Sequence, residues 1–94
     1  MEKQLIKQWV TEAVHRQYAD VELTFTFVPV LKEFARVVCR REQELVVVVN
    51  YNEFPNASVD TNEGQLALIV AGHITDRILD RLVQAKWHPT GVAQ

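Results

Sequence analysis

Ninety-four residues with a formal charge of −2, a 48% hydrophobic fraction and only three Gly and three Pro describe one globular domain, not a linker or a low-complexity chain. That charge gives no general attraction to nucleic acid or anionic membranes, and the single cysteine, Cys39, excludes an internal disulfide and a cysteine-built zinc site. No apolar run approaches the length of a bilayer span, and Met1 leads directly into an amphipathic pattern without a signal peptide, so the expected location is cytoplasmic.

From Glu2 to about Tyr18 the apolar residues Leu5, Ile6, Trp9, Val10, Ala13, Val14 and Tyr18 make one helical stripe, with His15 on the solvated side. Val21 to Phe27 then alternates with period two, placing Val21, Leu23, Phe25 and Phe27 inward and Glu22, Thr24 and Thr26 outward. Pro29 cannot donate to a ladder, so this strand should end near Val28. Phe34–Arg41 and Leu45–Tyr51 read as two further strands joined by the charged turn Arg41-Glu42-Gln43-Glu44. After the loop from Asn52 to Thr61, Asp60 and Glu63 have capping-box spacing, and a helix should run from about Asn62 to Lys86. Residues 1–87 are expected to form a single α+β domain, and residues 88–94 a frayed tail. The predicted order is α-β-β-β-α: a three-stranded antiparallel sheet with both helices on one face.

Such a sheet has a second face, and four consecutive valines, Val46 to Val49, send side chains to both. Pairing Arg41 with Glu44 across the turn sets a register in which Val38 lies opposite Val47 and Arg36 opposite Val49. Ala35, Val37 and Cys39 with Val46 and Val48 then belong to the core. Phe34, Arg36, Val38 and Arg40, with Leu45, Val47, Val49 and Tyr51, make the open face. Arginine among aromatic and aliphatic residues is the composition of a protein-interface core. The last helix begins with the all-apolar run Leu66 to Ala71, which should be buried on every side and adds a second surface wanting cover.

Chemistry has few candidates. His73, Asp76 and Asp80 share a helix face, but the neighbouring Arg77 and Arg81 disfavour a cation, and ion pairs such as Arg77–Asp80 explain the stripe as a solvated surface. Cys39 in a valine-rich strand reads as a small buried hydrophobe, and no glycine-rich phosphate loop is present. No catalytic residue, metal or cofactor is therefore expected.

The expected function is that of a non-enzymatic protein-binding module: a regulator, inhibitor or assembly factor. It would act through Phe34, Arg36, Val38, Arg40, Val47, Val49 and Tyr51 and through the apolar start of the last helix, as a homodimer or with another protein. His73, Asp76, Arg77, Asp80 and Arg81 form a second candidate surface. The alternative is nucleic-acid binding, with Phe34 and Tyr51 stacking bases and Arg36 and Arg40 holding phosphates. The order of elements resembles that of double-stranded-RNA-binding domains in topology only. Asp60 and Glu63 stand where those domains carry a basic cluster, so no family is assigned.

Overall fold

Helix α1 (Lys3–His15) buries Ile6, Val10 and Val14 completely, the stripe expected from their spacing. The structure is a computed structural model that describes residues 3–30, 32–54 and 63–90. Strands β1 (Glu22–Val30), β2 (Glu33–Arg40) and β3 (Glu44–Asn50) pair antiparallel in the order β1-β2-β3. A short 3-10 turn at Tyr51–Glu53 follows, and helix α2 (Glu63–Gln84) packs beside α1 on the same side of the sheet. The α-β-β-β-α order is thus observed, in one domain. The proposed helix cap at Asp60 lies outside the described residues.

The ends of α1 and β1 differ from expectation. Helix α1 closes at His15, not near Tyr18: in the turn after it Gln17 N–H bonds the Val14 carbonyl three residues back at 3.1 Å, a tighter turn than the α-helical one. His15 is half-buried, and its Nε2 donates to the Val21 carbonyl at 2.8 Å, so it is a structural tie and not a solvated side chain. Strand β1 runs through Pro29 to Val30, because the ladder shifts between Phe27 and Val30 and β1 is an edge strand. An irregular edge strand is where a residue without an N–H can be accommodated.

The hairpin register is shifted by one residue from the expected one. Arg40, not Arg41, pairs with Glu44, which sets Val38 opposite Val46 and Val37 opposite Val47. Arg41 leaves the ladder at a bend closed by its N–H to the Gln43 carbonyl at 3.1 Å. Its guanidinium lies over the rings of Tyr18 and Trp87, 5.6 and 5.3 Å from their centroids, and meets Asp20 at 2.8 Å. Two aromatic faces and a carboxylate outcompete one more ladder position for this side chain. The shift leaves β2 as expected, with Ala35, Val37 and Cys39 in the core, but reverses β3. Leu45, Val47 and Val49 are buried, whereas Val46 is 52% exposed. The observed register buries three large aliphatics and turns Glu44 outward; the expected one would have put Glu44 and Asn50 on the core side.

The core therefore lies between the helices and the face formed by Ala35, Val37, Cys39, Leu45, Val47 and Val49, with Val70, Ile74, Ile78 and Leu82 supplied by α2. Each such aliphatic side chain contributes about 1.5–3 kcal/mol on burial. The Cys39 thiol sits inside this layer, and burial pushes its pKa up to about 11 against a small opposing effect of Arg81. A thiol so held is protonated and unreactive at neutral pH, in keeping with a packing role.

Within the expected tail Thr90 is tied to the fold, and residues 91–94 lie outside the described residues. After helix α2 ends at Gln84, Lys86 adopts φ 64°. Lys86 N–H bonds the Val83 carbonyl at 2.9 Å and Trp87 N–H the Leu82 carbonyl at 3.0 Å, a Schellman-type close. The left-handed residue aims Trp87 into the core, where it is 8% exposed. Beyond it Thr90 bridges Tyr18 in parallel; Thr90 N–H reaches the Gln17 carbonyl at 2.7 Å, and its Oγ1 accepts from Ala19 N–H at 2.8 Å.

Candidate functional site

The side of the sheet away from the helices carries the even-numbered residues from Glu22 to Thr26, from Arg36 to Arg40 and from Glu44 to Val48. Cross-strand pairing arranges them in rows: Glu22, Arg40 and Glu44; Thr24, Val38 and Val46; Thr26, Arg36 and Val48. Val38 and Val48 are half-buried by their neighbours and Val46 is open, so three valines make a small apolar strip near the β3 edge. Both arginines are held by carboxylates. Arg36 forks onto Glu33 through contacts of 2.9–3.3 Å, and Arg40 bonds Glu44 and lies 3.8 Å from Glu22. These pairs frame the strip, and three carboxylates offset the charge of the two arginines.

The sequence-predicted surface is thus split, by the register on β3 and by the ladder irregularity between Glu33 and Ala35 on β2, beside which Phe34 turns inward. Arg36, Val38 and Arg40 lie on the open face as expected. Phe34, Val47 and Val49 do not: they are 4%, 3% and 0% exposed. Their places on the open face are taken by Val46 and Val48. Phe34 instead centres an aromatic cluster, with edge contacts to Phe27, Phe54 and Tyr51 at 5.4–5.7 Å. Tyr51 remains exposed but stands after the end of β3, apart from the arginine rows.

The polar stripe of α2 is divided as well. His73 and Arg77 turn toward Glu53: His73 Nε2 donates to Glu53 Oε1 at 2.6 Å, and Arg77 bonds the same oxygen. Arg77 also donates to the Val48 carbonyl at 2.9 Å, and Glu53 Oε2 accepts Asn50 N–H at 3.0 Å. Arg77 therefore pairs with Glu53 and not with Asp80. Asp80 and Arg81 line a groove of about 440 Å³ between α2 and Val46–Val48, and neither has an ion-pair or hydrogen-bond partner among the described residues. Asp76 faces the opposite way, into a groove of about 360 Å³ between the helices that also contains Trp9, Leu68 and Gly72. The apolar start of α2, expected to be buried all round, leaves Leu68 59% and Ile69 42% exposed.

No family model matches the chain, and no curated protein or solved structure matches it. Functional argument therefore rests on the geometry. Among the described residues no three His, Cys, Asp or Glu side chains gather to hold a metal ion, and no helix is long and apolar enough to cross a membrane.

The Glu53 clasp was missed in the sequence because Glu53 lies in an ordinary-looking loop, twenty residues before His73. Burial disfavours its charge, but the hydrogen bonds from Arg77, His73 and Asn50 N–H outweigh that and hold its pKa at about 2, below the ordinary 4.5. A carboxyl with a depressed folded pKa stabilises the fold above its unfolded pKa and loses that contribution on acidification. Stability should therefore fall as pH drops from about 4.5 toward 2, and Glu53→Gln should flatten that part of the profile. Urea unfolding at a series of pH values checks this; an unchanged acid slope in Glu53→Gln contradicts it.

Proposed function

We propose that this chain is a non-enzymatic protein-binding module that docks another polypeptide on the open face of its sheet. The observation that carries the reading is the uncovered strip of Val38, Val46 and Val48, framed by arginine–carboxylate pairs. Aliphatic side chains bordered by neutralised guanidinium groups suit a protein surface, where the apolar centre is desolvated and the rim stays polar. The exposed Leu68 and Ile69 at the start of α2 offer a second apolar contact on another side of the molecule.

Nucleic acid is the less favoured ligand for two reasons. Arg36 and Arg40 already hold carboxylates, and Phe34 is buried, so the face lacks both free cations and a stacking platform. The test is a matched pair of baits, the native chain and Val38→Asp, each used to capture material from the source cell. Val38 points away from the core on the central strand, so the substitution should leave the thermal midpoint within a few degrees. Proteins retained by the native chain and lost with Val38→Asp are the expected result. Identical protein sets on both baits, or captured nucleic acid that disappears with Arg36→Glu/Arg40→Glu, would overturn it.

A further inference from the structure

The two edges of the sheet are not equivalent. Strand β1 is guarded by Pro29 and by the ladder shift between Phe27 and Val30, both devices that discourage a further strand. Strand β3 has neither from Glu44 to Val49. Backbone groups in an antiparallel strand alternate between the partner and the free side. Arg77 reaches the Val48 carbonyl and Glu53 accepts Asn50 N–H, so the even-numbered residues of β3 present their backbone to the free edge. These two side chains occupy the end of that edge near Asn50. Among the described residues nothing else bonds the N–H and C=O of Glu44 and Val46 or the N–H of Val48, which border the groove beneath α2.

We infer that this edge pairs with the same edge of a second copy, joining the two sheets into one of six strands across a two-fold axis near Val46. The inference rests on the protein-binding reading and deepens it. A two-fold axis through Val46 sets Glu44 of one copy opposite Val48 of the other: Val48 N–H meets the Glu44 carbonyl, and Glu44 N–H shares the two-lone-pair Val48 carbonyl with Arg77. The groove bordering the edge favours a second copy over an unrelated peptide. It presents a free carboxylate, Asp80, next to a free guanidinium, Arg81, and a surface carrying both signs is complementary to its own two-fold image. Pairing has a consequence for the open face: the valine strip lies at the β3 side of each sheet, so the two strips become neighbours at the middle of the joined surface. The docking site proposed above is then shared, and each copy alone holds half of it.

Val46→Pro is the sharp test, because it deletes an outward N–H on an edge strand, where proline is tolerated, and leaves the Val37–Val47 pairing intact. Light scattering on a sizing column over a range of concentrations should give a dimer for the native chain and a monomer for Val46→Pro. Slow reaction of buried Cys39 with a thiol reagent reports that the variant is folded. If Val46→Pro does not fold, the charge pair decides: Asp80→Arg should weaken the dimer at least tenfold, and Asp80→Arg/Arg81→Asp should restore it. A native chain that stays monomeric, a folded Val46→Pro that stays dimeric, or a double exchange that fails to restore the mass overturns the inference. Val38→Asp separates the two readings, since it should remain dimeric while losing its captured protein. A dimeric Val38→Asp with capture unchanged would leave the edge pairing standing and remove the face.

Discussion

Val47→Asp unfolds the domain, and Val46→Asp, one residue away, leaves it folded. Val47 is 3% exposed and packs in the layer between the sheet and α2. Replacing it forfeits about 1.5–3 kcal/mol of aliphatic burial and strands a carboxylate without a partner, which adds several kcal/mol more. A domain of this size has about 5–15 kcal/mol in total, so the sum removes most or all of it. Val46 is half exposed on an edge strand, and the same change there costs at most about 1 kcal/mol through lost β-propensity. Circular-dichroism melts of both variants read the contrast. A folded Val47→Asp beside an unfolded Val46→Asp would restore the register expected from the sequence.

Trp87→Ala is the second large effect, with an expected loss of about 3–5 kcal/mol. The indole closes the end of the core after α2, and the Arg41 guanidinium lies over both its ring and that of Tyr18. Removing it opens a cavity and takes away one of the two rings that hold Arg41 out of the ladder. It also loosens the anchor that brings Thr90 against Gln17 and Ala19. Trp87→Phe keeps a ring and should recover most of the loss. Urea unfolding midpoints provide the measurement. A Trp87→Ala variant within about 1 kcal/mol of the native chain would show that the segment after α2 adds little.

How far the sequence could be read differs from element to element. Helix α1, β1 and the amphipathic part of α2 are legible because each keeps one period long enough to exclude the other, and β2 and β3 because their β-branched runs are joined by a charged turn. Period alone could not choose between Val46/Val48 and Val47/Val49 as the inward pair, since a uniform valine run offers both faces the same side chain. The deciding signals were Leu45 and Glu44 at the end of that run: the larger aliphatic belongs inside and the carboxylate outside. The competing cue, Arg41 facing Glu44, looked like a hairpin ion pair. Arg41 in fact answers to Tyr18, Trp87 and Asp20, the last more than twenty residues earlier, a tertiary preference invisible in a local turn. The Glu53 clasp escaped for the same reason, because its partners come from a helix distant in sequence.

The same point governs the candidate site. Arg36, Val38 and Arg40 face outward because β2 keeps the expected alternation from Ala35 onward, whereas Phe34 turns inward beside the irregularity before Ala35 and the β3 members Val47 and Val49 give way to Val46 and Val48. An open apolar face was foreseen, but it is narrower than the sequence implied, since Leu45, Val47 and Val49 are inside. What remains is a strip that becomes broad only if two copies meet at β3.

Which valines face solvent is therefore the most direct test of the account. Valine methyl spectra recorded with a soluble paramagnetic probe should show Val46 strongly broadened, Val38 and Val48 partly so, and Val37, Val47 and Val49 untouched, in a dilute sample where copies are apart. Broadening of Val47 and Val49 with Val46 and Val48 protected would put the open face on the other side of β3 and contradict both the site and the edge pairing built on it.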